Sequence, residues 1–216
     1  MQSSYNAAMN LPNLLTLSRI LLVPFFVVIY AIPGAGTYVY AAALFALAAF
    51  TDWLDGYLAR RLNQTTPFGA FLDPVADKLI VVTALVLLVG HHTTLWLTLP
   101  AIVIVGREIV VSALREWMAE MNRRGAVKVS WLGRVKTTLQ MVSLVVLLAN
   151  PPELDRSWVL LGYILLYGAA ILTLWSMILY LQVAWPTLRT GWEGGRSAPQ
   201  PARSSSRPDP AGPGSH

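Results

Sequence analysis

An all-α, polytopic membrane protein with six transmembrane helices and an N-terminal interfacial segment is the fold class this sequence predicts. Three observations predict it. The 216-residue chain is 55% hydrophobic and only 12% charged, where a soluble domain carries roughly 25% charge. Its mean hydropathy is +0.54. Its apolar residues fall into six segments near the length of about 20 residues that crosses a hydrocarbon core, at roughly 12–33, 38–60, 70–90, 95–118, 131–149 and 158–184. The stretches between them, "IPGAG", "RRLNQTTP", "GHHTT", "MNRRGAVKV" and "NPPELDRS", have turn and loop chemistry.

The first segment is expected to be a retained span and not a cleaved signal peptide, because no Lys or Arg leads it and Arg19 interrupts it. Its start sets Leu11, Leu14, Leu15 and Leu17 against Asn13, Thr16 and Arg19, a pattern suited to a membrane interface. The second and third segments meet at the only acid-rich stretch, "TDWLDGYLARRLNQTTPFGAFLDPVADK". The apolar runs 38–51 and 79–90 are too short to span, so each helix must take in its aspartates. The fourth segment carries Arg107, Glu108 and Arg115, and the fifth carries Lys136. The sixth carries no ionisable group at that level. From about 186 the chain turns to Pro, Gly and Ser, which cannot build a packed core. The expected organisation is therefore one membrane domain over 1–185 and a disordered tail over 186–216.

Lys and Arg set the orientation. Arg60 and Arg61 lie between the second and third segments. Arg115, Arg123, Arg124, Lys128 and Arg134 surround the next connection on that side, and Arg189, Arg196, Arg203 and Arg207 follow the last segment. The opposite loops hold only Arg156. By the positive-inside rule both termini and the acidic cluster face the cytoplasm. The net charge of +5 is thus a loop effect, and no nucleic-acid partner is expected. The absence of cysteine excludes disulfide and thiol chemistry.

The charges share a depth. Asp52, Asp77, Arg107, Lys136 and Arg19 each stand about 12–14 residues from the uncharged end of their segment, roughly 20 Å at a rise of 1.5 Å per residue. A polar cavity opening to the cytoplasm is the expected consequence. Asp52 and Asp55 are spaced i, i+3, and Asp73 and Asp77 i, i+4, so each pair shares a helix face. Four carboxylates in so apolar a setting need a compensating cation. An all-oxygen donor set without Cys selects a hard ion, Mg²⁺ or Mn²⁺ ahead of Ca²⁺. Two such ions clamp the oxygens of a phosphoryl displacement. Gly56 and Ala59 flank Asp55 with small side chains that admit a ligand to the helix backbone, and Gly69 opens the third segment.

These residues form D-x2-D-G-x2-A-R-x8-G-x3-D-x3-D, from Asp52 through Asp55, Gly56, Ala59, Arg60, Gly69 and Asp73 to Asp77. The pattern resembles the signature of the CDP-alcohol phosphotransferases. "NLPNLLTLSRILLVPFF", "DPVADKLIV", "GREIVVSALREWMAE" and "VSWLGRVKTTLQM" are similar to segments of its bacterial phosphatidylglycerophosphate synthase branch. The resemblance implies six transmembrane helices, commonly a homodimer, in the bacterial inner membrane with the site facing the cytoplasm. It implies transfer of a phosphatidyl group from CDP-diacylglycerol to an alcohol with release of CMP. It casts Asp52, Asp55 and Asp73 as metal ligands and Asp77 as general base and further ligand. Gly56, Ala59, Arg60 and Gly69 then shape the nucleotide pocket, with Asn13, Thr16 and Arg19 at its diphosphate or ribose. Arg107, Arg115 and Lys136 suit the phosphate of glycerol 3-phosphate as acceptor. Another member of the family, such as a cardiolipin synthase or an inositol-phosphate-using synthase, and a divalent-cation transporter are the alternatives.

Overall fold

The computed structural model describes residues 11–34, 36–62, 67–120, 131–153 and 156–194. These residues form six helices and no strand: α1 Leu11–Ala31, α2 Thr37–Leu62, α3 Pro67–His92, α4 Leu95–Glu120, α5 Trp131–Leu148 and α6 Ser157–Gly194. Each expected segment is one helix, with ends shifted by a few residues. α1 runs unbroken from Leu11, so the stretch 11–19 belongs to the same helix as the span and is not a separate element. α3 extends through His91 and His92, which the sequence placed in a loop. α6 continues to Gly194, so the boundary drawn after 185 falls inside a helix; residues 195–216 of the expected tail lie outside the described residues.

Three helices contain stretches long and apolar enough to cross a bilayer: Leu14–Ala31, Leu95–Met118 and Ser157–Gln182. α2 and α5 carry shorter apolar stretches, Thr37–Asp52 and Val135–Leu148. In α2 and α3 the shortfall has one cause, the aspartates inside the helix. Pro24, Pro74 and Pro100 sit within α1, α3 and α4, where neighbouring helices re-satisfy the backbone groups a proline frees.

α1 packs on α2 and α3, and α6 packs on α4 and α5. Contacts of α2 with α5 and of α3 with α4 join the two groups. The bundle half remote from the aspartates carries much of the apolar core. Phe26, Phe45, Leu85, Leu88, Leu97, Leu144, Leu147 and Val159 are fully buried there. At its far end the Tyr38 hydroxyl meets His91 Nε2 at 2.8 Å, and the Tyr163 hydroxyl meets His92 Nδ1 at 3.1 Å. The Thr93 N–H caps α3 by donating to the Val89 carbonyl at 3.0 Å, with φ at 48°. Both histidines thus tie helix ends to tyrosines.

α5 and α6 approach each other closely. The Ser143 hydroxyl donates to the Gly162 carbonyl at 2.7 Å, and a Cβ on Gly162 would stand 2.7 Å from Cγ of the fully buried Leu147. Small residues allow such approach where the hydrophobic effect does not drive helices together. Gly168, two turns on, has open space at the same place. Gly162→Ala is expected to destabilise the protein by about 1–3 kcal/mol through overpacking, while Gly168→Ala gains helix propensity of up to about 1 kcal/mol. Thermal unfolding of the two variants in detergent checks this; a lower midpoint is expected for the first and an equal or higher one for the second.

Candidate active site in the membrane domain

Asp52 and Asp73 both meet partners on α1. On α1, Thr16 and Arg19 lie about one turn apart and are both buried. The Thr16 hydroxyl donates to Asp73 Oδ1 at 2.7 Å, tying α1 to α3. The Arg19 guanidinium donates to Asp52 Oδ1, tying α1 to α2. Arg19 is only 1% exposed and the Asp52 side chain 40%, so the cation is sunk in protein while the carboxylate meets open space.

That space is a cavity of about 560 Å³ between α2, α3, α4 and α5. Asp52 and Asp77 line it together with Lys78, Glu108, Thr137, Thr138 and Gln140. Its apolar wall includes Phe50, Val81, Ile104 and Met141. Lys78 follows Asp77 in the chain, yet its ammonium is turned onto the Ser112 hydroxyl of α4. Glu108 pairs with its neighbour Arg107. Arg107 is buried and reaches the Ser176 hydroxyl of α6 at 3.5 Å.

Lys136 is buried as well, and its Nζ makes no hydrogen bond among the described residues. The charges of Arg107, Glu108 and Arg115 act on it. The charges of Arg107 and Lys136, on two helices, therefore act on each other. Arg115 turns instead to α6, donating to the Tyr180 hydroxyl at 2.9 Å with its guanidinium 5.5 Å from the ring centre.

Gly69 is buried in the first turn of α3. The helical backbone passes through Asn13, Asp55, Gly56, Ala59 and Arg60, but their side-chain surroundings lie outside the described part of the structure. Among the described residues no three Asp, Glu or His converge as an ion's ligands. The donor set still fits a hard divalent cation. Asp52, Asp73 and Asp77 are oxygen donors from two adjoining helices, Arg19 is the one cation bonded to them among the described residues, and Lys78 is engaged elsewhere.

Sequence reasoning missed the polar face of α6. It supplies no charge, but Thr173 and Ser176 are buried and Tyr180 lies one turn on. Their i, i+3, i+7 spacing on an otherwise apolar helix was the available signal. It also missed Ser112, the partner of Lys78, and Thr137, Thr138 and Gln140 on α5.

A helical membrane domain with carboxylates, buried cations and a polar cavity in one layer defines a class of enzymes that work on lipid head groups. The family model described as CDP-alcohol phosphatidyltransferase matches residues 9–175, and the chain belongs to that family. It is 62% identical over 184 residues to the CDP-diacylglycerol–glycerol-3-phosphate 3-phosphatidyltransferase of Pseudomonas fluorescens, covering 84% of this chain and 93% of that one. Proteins of the same name from Salmonella paratyphi A and Yersinia enterocolitica are 54% and 53% identical, covering 81% and 83% of this chain and 94% and 97% of theirs.

A buried ammonium without a partner destabilises the fold that holds it. Lys136→Met, similar in length and apolar, is expected to raise the unfolding midpoint of the substrate-free protein, by about 1–3 kcal/mol of added stability. Thermal unfolding in detergent checks it; a lower midpoint would mean that Lys136 has a stabilising partner.

Proposed function

We propose that this chain transfers the phosphatidyl group of CDP-diacylglycerol to sn-glycerol 3-phosphate, giving phosphatidylglycerophosphate and CMP. The observation that carries the reading is the cavity: the signature carboxylates Asp52 and Asp77 line it, and so do Glu108 and Thr137, the chain neighbours of the buried cations Arg107 and Lys136. The names of the relatives support the same reaction. We further infer that all six helices span the bacterial inner membrane, that both termini and the cavity face the cytoplasm, and that the protein works as a homodimer. The Lys/Arg asymmetry of the loops supports the orientation, and the family resemblance supports the dimer.

The acceptor's C1 hydroxyl attacks the β-phosphorus of CDP-diacylglycerol. A new P–O bond forms, the P–O bond to CMP breaks, and the hydroxyl proton passes to Asp77. Asp77 suits this role because it faces the cavity from a rigid helix. Arg19 holds Asp52, and Thr16 holds Asp73, so the carboxylates are oriented before substrate arrives. Lys136 and Arg107 take the acceptor phosphate. Gly56, Ala59, Arg60 and Gly69 shape the nucleotide pocket with Asn13. Arg115 contributes less, since Tyr180 already engages it. The family uses divalent metal ions; two ions of Mg²⁺ or Mn²⁺, held by Asp52, Asp55, Asp73 and Asp77, would neutralise charge on the diphosphate. The lipid's acyl chains stay in the bilayer, which accounts for a site at this depth.

The test is CMP release and lipid product from purified protein given CDP-diacylglycerol and a panel of alcohols. Glycerol 3-phosphate is expected to be consumed, while phosphatidylglycerol and inositol phosphate are not. Asp77→Asn is expected to slow turnover at least about 10²-fold. Lys136→Gln and Arg107→Gln are expected to raise the KM for glycerol 3-phosphate about tenfold or more, as the loss of a charged hydrogen bond predicts. Their effect on the KM for CDP-diacylglycerol should be much smaller. The opposite pattern would place both cations in the nucleotide pocket.

A further inference from the structure

Gln140 is a buried polar residue of α5 whose side chain lines the cavity. Its amide makes no hydrogen bond with any described residue. The amide is therefore free to meet whatever occupies the cavity, and polar side chains set inside membrane helices are costly and mark functional positions. Its neighbours on α5 behave otherwise: Ser143, one turn on, is spent on the Gly162 carbonyl. Gln140 stands one turn from Lys136 on the same helix face, a rise of about 6 Å.

On the reading proposed above, Lys136 takes the phosphate of glycerol 3-phosphate and Asp77 receives the proton of its C1 hydroxyl. The C2 hydroxyl lies between the two groups. We propose that the Gln140 amide hydrogen-bonds this C2 hydroxyl and is a specificity-determining residue for the acceptor. The amide suits the task because it both donates and accepts, and because it adds no charge to a cavity already holding Asp52, Asp77, Lys78 and Glu108. Thr137 and Thr138 are weaker candidates: both are exposed and engaged in other interactions. A site built to pair with a hydroxyl rejects an analogue lacking it far more strongly than it prefers an added methylene.

The experiment compares glycerol 3-phosphate with 3-hydroxypropyl phosphate, the same acceptor without the C2 hydroxyl, in wild type and in the nearly isosteric Gln140→Met. Wild type is expected to favour glycerol 3-phosphate at least about tenfold in kcat/KM. In Gln140→Met this preference is expected to fall to within about threefold, with the KM for CDP-diacylglycerol unchanged. Gln140→Leu serves as the second variant, with unfolding midpoints measured for both. A merely structural role would slow both acceptors alike and keep their ratio. A retained ratio in either folded variant, or no preference in wild type, overturns the assignment of Gln140 alone. CMP release with neither acceptor in wild type overturns the reaction itself and Gln140's role with it.

Discussion

A charge carried into hydrocarbon must find a counter-charge, a hydroxyl or water, and this requirement organises the acidic half of the bundle. An ionised side chain near the bilayer centre costs roughly 2.5–3.5 kcal/mol on insertion scales. The Arg19–Asp52 pair meets that cost most directly, with its cation almost wholly enclosed. It also fixes α1 against α2, while Thr16 fixes α1 against α3 through Asp73. One short stretch of α1 therefore sets how the two aspartate-bearing helices stand to each other. The remaining groups follow the same rule: Arg107 takes Glu108, Lys78 takes Ser112, and Arg115 takes Tyr180. Lys136 does not: its Nζ makes no hydrogen bond among the described residues.

The two halves of the bundle divide the work between them. The half remote from the aspartates is packed with Phe26, Phe45, Leu88, Leu97 and Leu147. A transporter of divalent cations needs oxygen ligands along its whole route. Here the carboxylates within the described helices all lie on the aspartate side of that packing, and the far end is pinned by Tyr38–His91 and Tyr163–His92 contacts. A closed floor beneath a polar cavity is what chemistry on a lipid head group requires, because it keeps the reacting groups level with the head groups and seals the membrane.

Much of this was legible in the sequence. Composition and turn chemistry located all six helices, because an apolar run bounded by Gly, Pro and Asn has few alternatives. Counting residues from the apolar ends placed Arg19, Asp52, Asp77, Arg107 and Lys136 in one layer, since helical rise is nearly constant. What could not be read was rotation about each helix axis. α6 is apolar on nearly every side, so its pattern did not reveal that Ser176 and Tyr180 face α4. For the same reason Arg115 was grouped with Arg107 by spacing, and the structure turns it to Tyr180. Lys78 follows Asp77 in sequence, but a step of about 100° around the helix sends it to α4. The histidines belong to α3 because the Thr93 N–H closes the helix after them.

The central claim is a water-accessible cavity that stops midway through the membrane. The chain has no cysteine, so single cysteines can report it without background. Thr137→Cys, Thr138→Cys, Leu144→Cys and Leu147→Cys, each alone, would be exposed in membrane vesicles to a charged maleimide from the face bearing the aspartates. Thr137→Cys and Thr138→Cys are expected to label and to be protected by CDP-diacylglycerol, while Leu144→Cys and Leu147→Cys stay unlabelled. Labelling that continues through 144 and 147, or no labelling at 137 and 138, would contradict the account.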